Sequence, residues 1–278
     1  MPDLILYFST AVAWLVLSAT ALRSSRLALA APSAVPARPE VRLDIILVPV
    51  ALVLHGALLY NRVLSPEGLD LGVANAISML VWLTVLIYWL ASHAFEGLSG
   101  MLGMMSPVAF VAVALMAVVP THHYVNYGGD SLFVLHFGVA MLAYSLFIVA
   151  TVHALVMLAE EKWLHRGVMP PFLRTLPPLL VMEALLFRIL LAAFVLLTLT
   201  VVSGVFFSEQ LFGKPFEFNH KTVFAIVSWF IFGGLLAGHY LRGWRGRTAV
   251  YWTLAGFTAL LLAYVGSKAV LEIILKRG

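Results

Sequence analysis

The sequence predicts an all-α, polytopic membrane bundle of about eight transmembrane helices, and three observations support this fold class. Hydrophobic residues make up 62% of the 278 residues, charged residues only 11%, and the mean hydropathy is +1.00. A soluble protein of ordinary composition is about half apolar and about a quarter charged. Several apolar runs approach or exceed the roughly 20 residues that cross a bilayer. No polar stretch is long enough to form its own core, so we expect residues 1–278 to form a single integral membrane domain.

Eight apolar segments predict the transmembrane helices in chain order. They are residues 4–22, 44–60, 74–94, 105–120, 132–158, 180–204, 221–241 and 249–271. The fourth is short, and its flanking residues Gly100, Gly103, Pro107 and Pro120 predict a tilted or interrupted helix. The fifth is long enough to extend beyond the hydrocarbon layer.

The beginning of the chain allows a second interpretation, a cleaved signal peptide. Residues 28–31 resemble a small-residue cleavage site. However, Asp3 lies in the region that a signal peptide makes basic, and Arg23 and Arg26 interrupt the approach to that site. These residues favour a first membrane span, followed by a proline-rich linker at residues 31–39.

The basic residues predict the orientation of the bundle. In an alternating eight-span arrangement, three loops on one side carry ten of them: Arg23, Arg26, Arg38, Arg42, Lys162, Arg166, Arg174, Arg242, Arg245 and Arg247. The opposite side carries six: Arg62, Lys214, Lys221, Lys268, Lys276 and Arg277. Because basic loops stay in the cytoplasm, we expect the linker at the inner face and both termini outside. This topology also accounts for the sequence pI near 9.4 without a nucleic-acid partner.

The chain contains no cysteine, which excludes several classes of redox and metal protein. It cannot be a thiol–disulfide relay, hold an iron–sulfur cluster through thiolates, or attach haem covalently through cysteine. Any metal ligand must be His, Met, Tyr or a carboxylate. The nine histidines and ten methionines keep nitrogen and thioether ligands available.

Two histidines begin long apolar segments on the predicted outer side. His136 opens the fifth span, and His220 opens the seventh. A polar residue at such a position is costly and usually functional, although it can simply hydrogen-bond across helices. Because two separate spans begin alike on one side, we favour a pair of imidazole ligands, the simplest protein ligand set for a haem iron.

Three other histidines predict a second candidate site, near the inner side of the membrane. His153 lies 17 residues after His136, about 25 Å along a helix, so these two cannot share a ligand. His239 lies 19 residues after His220, about 28 Å along a helix. Either an inner binding site takes its ligands from His93, His153 and His239, or these residues lie in the headgroup region of the membrane. His55 lies within the second span, His165 is expected to be solvated, and His122 and His123 are loop residues, a gate or alternative ligands.

Two charges and an aromatic set add candidate binding groups. Glu183 and Arg188 lie in the first half of the sixth span, where a charge is expected to face the bundle and have a partner. Arg188 forms a structural ion pair or carbonyl contacts, or it clamps an anionic group such as a haem propionate. The aromatic residues Trp82, Tyr88, Trp89, Trp229 and Phe232 suit a flat macrocycle, or they pack and anchor the interface.

The last part of the chain carries the motifs of a known family. They are Leu135-His136 with Ala143-Tyr144, Leu197-Thr198-Leu199 with Ser203-Gly204, His220-Lys221-Thr222, Trp229, Gly243-Trp244-Arg245-Gly246-Arg247, Gly256-Phe257 and Tyr264-Val265-Gly266-Ser267-Lys268. On these motifs the chain resembles the transmembrane cytochrome c assembly proteins over roughly residues 70–275. It is most similar to their small HemX-like or YpjD-like inner-membrane branch, related to the larger CcsA proteins.

The resemblance implies non-covalent binding of haem b and a role in maturing c-type cytochromes. It implies that His136 is the first outer ligand, and that His239 lies about two residues from a transmembrane ligand position. His220 occupies a position typical of the small branch. The chain has no counterpart of the tryptophan-rich loop of the larger relatives, because residues 206–218 contain no Trp. The segment that carries their second outer ligand is also missing. We therefore expect His220 to replace that ligand and pair with His136.

The resulting expectation is a haem-binding protein of the bacterial inner membrane that is not an enzyme. Its expected partners are membrane lipid, haem and other cytochrome c maturation proteins. A membrane scaffold or regulator of another enzyme is the alternative, and a small-solute or ion transporter is a weaker one, since the sequence shows no convincing inverted repeat.

Overall fold

The described part of the chain is almost entirely helical. The computed structural model describes residues 2–30, 43–65, 68–95, 98–119, 123–125, 131–167, 170, 177–206, 208 and 220–263. These residues form eight helices: α1 (Pro2–Ala30), α2 (Leu43–Val63), α3 (Val73–Ala94), α4 (Ser99–Val118), α5 (Ser131–His165), α6 (Leu179–Phe206), α7 (His220–Arg242) and α8 (Arg247–Leu261). The first seven are long and apolar enough to span a membrane, so the predicted all-α polytopic bundle is confirmed.

The predicted spans agree with the helices, with one correction. The fourth span is not interrupted, because α4 is a continuous helix that contains Pro107 and begins at Ser99, six residues before the predicted start. Helix α5 has 35 residues, about 52 Å, and so exceeds a hydrocarbon core of about 30 Å as expected. The proline-rich linker at 31–39 and the end of the last span, 264–271, lie outside the described residues.

Helices α1 to α4 form a compact unit, here called the first bundle, in which each helix packs against the next and α4 packs against α1. Apolar side chains fill its core, and Trp14, Leu58, Leu98 and Met101 are almost completely buried. A small three-stranded antiparallel sheet, which the sequence did not predict, accompanies these helices. Its strands are β1 (Leu64–Ser65), β2 (Gly68–Asp70) and β3 (Tyr124–Val125), paired in the order β1-β2-β3.

The sheet is held in register by one buried carboxylate. Leu69 lies opposite Leu64 on one side and opposite Val125 on the other. Asp70 Oδ1 accepts hydrogen bonds from the backbone N–H groups of Gly72 and His123, at 3.1 and 2.9 Å. The carboxylate therefore joins the segment before α3 to the segment after α4.

Helices α5 to α8 form a second compact unit, the second bundle. Helix α5 packs against α6 and α8, and α7 packs against the same two helices, so α5 and α7 lie diagonally across this bundle. Its largest fully buried side chains are Phe147, Met182, Leu186, Leu190, Phe232 and Leu235.

Glycines allow α7 and α8 to pack closely against aromatic rings. A Cβ atom at Gly238 would lie 2.2 Å from the Trp244 ring, and one at Gly256 would lie 2.7 Å from the Phe232 ring. Both distances are shorter than real Cβ contacts, so any larger residue would force the aromatic ring to shift. Gly243, with φ of +68°, ends α7 in the left-handed conformation and donates its N–H to the His239 carbonyl. This turn places Trp244 directly on the Gly238 backbone.

Candidate functional site

A pair of stacked rings fixes the axial register of α5 and α7, the two diagonal helices of the second bundle. The Phe147 ring on α5 and the Phe232 ring on α7 lie 4.0 Å apart, and both side chains are fully buried. Both helices run antiparallel to α8: Tyr144 contacts Leu260 and Glu161 contacts Arg247, while Gly234 contacts Trp252. Helices α5 and α7 are therefore parallel, with Phe147 and Phe232 at one level.

This register brings the two predicted outer histidines to the same level. His136 lies eleven residues before Phe147, about 16.5 Å along α5, and His220 lies twelve residues before Phe232, about 18 Å along α7. The difference is about 1.5 Å, one residue of helix rise. Helix α7 begins at His220, and the side chain of His220 lies outside the part of the structure that is described.

His136 is held by a hydrogen bond from α5 to α6. Its Nδ1 lies 2.7 Å from Ser203 Oγ, and the Ser203 hydroxyl itself donates to the Thr200 carbonyl at 3.1 Å. The tautomer of the ring sets which of the two groups donates. The contact with Ser203 orients the imidazole, as a second residue does for a metal-binding histidine.

The space beside His136 is created by a small residue. A Cβ atom at Gly204 would lie 3.6 Å from His136 Cε1 and would meet no other described atom within 4 Å. His136 also lies three helical turns from Phe147 on nearly the same face of α5, since eleven residues rotate by about 20° beyond three full turns. The imidazole is half-buried on the side of α5 that faces the bundle core.

His239 is held by a similar arrangement near the opposite end of the second bundle. Its Nδ1 lies 2.8 Å from the Trp244 carbonyl oxygen, which can only accept, so Nδ1 carries the proton. Its ring stacks on Phe187 with centroids 3.5 Å apart. His153 lies six residues after Phe147 and His239 seven after Phe232, so these two histidines also share a level. His153 is fully buried.

The other histidines of the described chain have local contacts. His93 Nδ1 and His165 Nδ1 lie 2.8 and 2.7 Å from carbonyl oxygens of their own helices, and both side chains are exposed. His55 is fully buried in the first bundle, where its Nε2 lies 2.8 Å from Ser78 Oγ and its ring meets the edge of Trp14. His93 belongs to the first bundle and His153 to the second, so the predicted inner site stays a prediction. His122 lies outside the described residues, and His123 is an exposed residue beside the sheet.

The two charges of the sixth span do not pair with each other. Glu183 Oε2 accepts the Gly246 backbone N–H at 3.0 Å, which ties α6 to the start of α8. Arg188 is exposed, contrary to the expectation that it faces the bundle interior. It lies 15 residues from Ser203, about 22 Å along α6, and one residue from Phe187, which stacks on His239. Arg188 therefore lies at the same position along the bundle axis as His239.

The predicted aromatic faces are used in packing. Trp82 Nε1 donates to the Leu52 carbonyl at 2.8 Å, and its ring lies against Gly56. Trp229 Nε1 donates to Thr198 Oγ1 at 2.9 Å and stacks on Phe194. Neither ring is left as an open platform for a macrocycle. Sequence reasoning missed Ser203 as the partner of His136, although a hydroxyl one residue before a glycine signals a close helix contact.

His136 is the member of the predicted ligand pair whose side chain the structure describes. Within the described ranges, no three His, Asp or Glu side chains lie close enough together to hold a metal ion. A haem iron needs only two axial ligands from the protein, since its macrocycle supplies the rest. His136 fits such a ligand, because the contact with Ser203 orients its ring.

Comparison with known proteins places these residues in a family. Residues 45–275 match the family described as cytochrome C assembly protein. The Escherichia coli (strain K12) protein named "Inner membrane protein YpjD" is 32% identical over 235 residues, 84% of this chain and 88% of that protein. A 28.8 kDa protein of Azospirillum brasilense is 28% identical over 72% of this chain and 77% of its own length.

A larger relative matches over a shorter segment. The "Cytochrome c biogenesis protein CcsA" of Prochlorococcus marinus (strain MIT 9515) is 31% identical over 85 residues, 31% of this chain and 27% of that protein. The family match covers seven of the eight helices described above, including the whole second bundle as described. The chain is a multi-pass membrane protein that belongs to the cytochrome C assembly protein family.

Proposed function

We propose that this chain binds haem b non-covalently in the second bundle, with His136 and His220 as axial ligands, and assists the biogenesis of c-type cytochromes. Haem is the cargo in this proposal, and the protein holds or delivers it rather than acting as an enzyme. The proposal places the chain in the bacterial inner membrane with both termini outside. Its partners are membrane lipid, haem and other cytochrome c maturation proteins.

The observation that carries the proposal is the register between α5 and α7. The stacked rings of Phe147 and Phe232 put His136 and the backbone of His220 within about one residue of the same level. The two helices lie diagonally in the ring of four, with α6 and α8 between them. Helical bundles bind cofactors in this way, between side chains of facing helices.

The hydrogen bond from His136 to Ser203 supports the ligand role independently. In the tautomer that carries its proton on Nδ1, the His136 imidazole donates to Ser203 and keeps Nε2 as an oriented electron-pair donor. His239, which donates to the Trp244 carbonyl, is the second candidate ligand position by the same reasoning. Arg188 is a candidate propionate-binding charge only for a group held at His239, since about 22 Å of α6 separates it from Ser203 and from a haem on His136 and His220.

The names of relatives agree with this function. The E. coli relative is named as an inner membrane protein, and the Prochlorococcus relative as a cytochrome c biogenesis protein. Both names concern those proteins, and their relevance here rests on family membership.

Haem titration of the purified full-length protein tests the proposal. We expect a saturable Soret band with a low-spin, bis-imidazole spectrum, which His136→Ala and His220→Ala abolish or shift. His165→Ala is the matched control, because His165 is exposed and bonds only to its own helix among the contacts described. Added imidazole is expected to restore the low-spin spectrum of His136→Gly. Failure of the wild-type protein to bind haem, with cytochrome maturation unchanged in both ligand variants, would favour a scaffold function instead.

A further inference from the structure

An apolar cleft with a basic mouth lies on the last two turns of α7. Its volume is about 200 Å³, and it is lined by Gly234, Ala237, Gly238, Leu241, Arg242 and Trp244. Ala237 and Leu241, both exposed, form an apolar floor along the helix, and Arg242 lies at its end. The cleft is therefore apolar towards the middle of α7 and cationic at the helix terminus.

The size and position of the cleft restrict its ligand. Pockets that enclose drug-sized ligands have volumes of ~300–1,000 Å³, so a cleft of about 200 Å³ holds part of a narrow chain and does not enclose a whole macrocycle. Helix α7 is apolar and long enough to span the membrane, and Leu241 at the cleft is 84% exposed. The cleft thus opens where acyl chains meet the headgroup layer.

Arg242 lines the cleft, and Arg245 follows in the turn after α7. Arg242 and Arg245 are both exposed, and within the described part of the chain neither has an acidic partner. Arg247 differs, because its Nε contacts Glu161 Oε1 at 3.0 Å. Two arginines beside a tryptophan at the end of a spanning helix form the combination of charge and amphipathic ring that is found at the headgroup level.

A second helix is not a suitable occupant, although Gly234 and Gly238 form a G-x-x-x-G sequence. Trp244 already lies on Gly238, and the Trp252 ring is 3.3 Å from where a Cβ atom of Gly234 would lie. The chain's own tryptophans therefore occupy the two glycines through which another helix would approach.

We propose that this cleft binds one anionic phospholipid, with an acyl chain along the floor and the phosphate at Arg242 and Arg245. Arg242 and Arg245 have no acidic partner among the residues that the structure describes, so their charge favours a negatively charged headgroup, and the narrow apolar floor favours a hydrocarbon chain. This proposal does not depend on haem binding.

Native mass spectrometry of the full-length protein in detergent tests the proposal, with phosphatidylglycerol and phosphatidylcholine of identical acyl chains as probes. We expect preferential binding of one phosphatidylglycerol. Arg242→Gln should reduce its affinity about fivefold, the effect of removing one basic residue near an anionic headgroup. Arg166→Gln is the control, since it removes the same charge from an exposed position on another loop. Equal binding of the two lipids, or equal losses in both variants, would overturn the proposal.

A second pair of variants tests the apolar floor. Ala237→Phe fills the cleft and should weaken binding of phosphatidylglycerol, whereas Ala192→Phe places the same side chain at an exposed position of α6 and should have no effect. Arg245→Gln should act like Arg242→Gln. Unchanged lipid binding by folded Ala237→Phe protein would contradict the assigned cleft.

Discussion

The Phe147 and Phe232 rings stack 4.0 Å apart across the core of the second bundle and align α5 with α7. Neither residue binds anything in the proposed function. Their contact nevertheless decides which histidines can meet, because it brings His136 level with the start of α7 and His153 level with His239. The proposed haem site depends on this alignment.

We expect Phe147→Ala to destabilise the second bundle by about 3–5 kcal/mol, the usual cost of truncating a buried aromatic side chain. Phe230→Ala is the matched control, since Phe230 is 65% exposed on α7, and it should cost about 0.5 kcal/mol or less. Unfolding of both variants by denaturant in detergent measures the difference. Equal stabilities would show that the stacked pair does not hold the core together.

Substitution of two helical glycines should have opposite effects. Gly238→Ala brings a methyl group against the Trp244 ring and should cost about 1–3 kcal/mol through overpacking. Gly138→Ala meets no described atom within 4 Å and should stabilise α5 by up to about 1 kcal/mol, because alanine is the better helix former. Thermal unfolding of the two variants checks the signs, and a stable Gly238→Ala protein would contradict the close packing of Trp244.

Ser203→Ala removes the hydroxyl that orients His136 and should weaken haem binding about 10–100-fold without unfolding the protein. Ser203→Thr keeps a hydroxyl and should restore much of the affinity. Ser145→Ala is the control, because the buried Ser145 hydroxyl donates to the Met141 carbonyl of its own helix. Haem titration measures all three, and equal affinities in Ser203→Ala and the wild type would remove Ser203 from the site.

Glu183→Ala should loosen the start of α8, because the Gly246 N–H loses its carboxylate acceptor. The expected loss of stability is about 1–2 kcal/mol. Glu183→Gln retains an acceptor oxygen and should lose less. Hydrogen–deuterium exchange of a peptide covering residues 242–250 provides the readout. Exchange in the alanine variant identical to that in the wild type would show that Glu183 does not hold the start of α8.

The cysteine-free sequence allows a clean test of orientation. Tyr124→Cys and Arg166→Cys place single thiols at exposed positions after α4 and α5, on opposite ends of a spanning helix. With both termini outside, a membrane-impermeant maleimide should label Tyr124→Cys in intact spheroplasts. It should label Arg166→Cys only after permeabilisation. The reverse pattern would invert the predicted topology.

Most of the fold follows from hydrophobic runs, because a bilayer requires long apolar helices with satisfied backbones. The predicted start of α4 lies six residues after the observed one, because the glycines near Ser99 to Met104 are typical of a flanking segment. In the structure these residues are helical, and Gly103 packs against Ala21. The sheet could not be predicted, because strands of two or three residues carry no periodic signal.

The candidate site was predicted in its residues but not in its contacts. The alternating eight-span topology predicted His136 and His220 on one side of the membrane, and the ring contact of Phe147 with Phe232 adds the common level along the second bundle. The partners Ser203 and Trp244 could not be deduced, since each depends on which helices become neighbours. The exposed position of Arg188 was missed because the sequence does not show which face of α6 is buried.

The central claim is that His136 and His220 hold one haem iron, and the absorption spectrum of the pure protein as isolated from the membrane tests it most directly. We predict a Soret band with the low-spin bands of bis-imidazole ligation, lost or shifted when either histidine is replaced by alanine. A colourless protein, or a haem spectrum that survives unchanged in both variants, would contradict the claim.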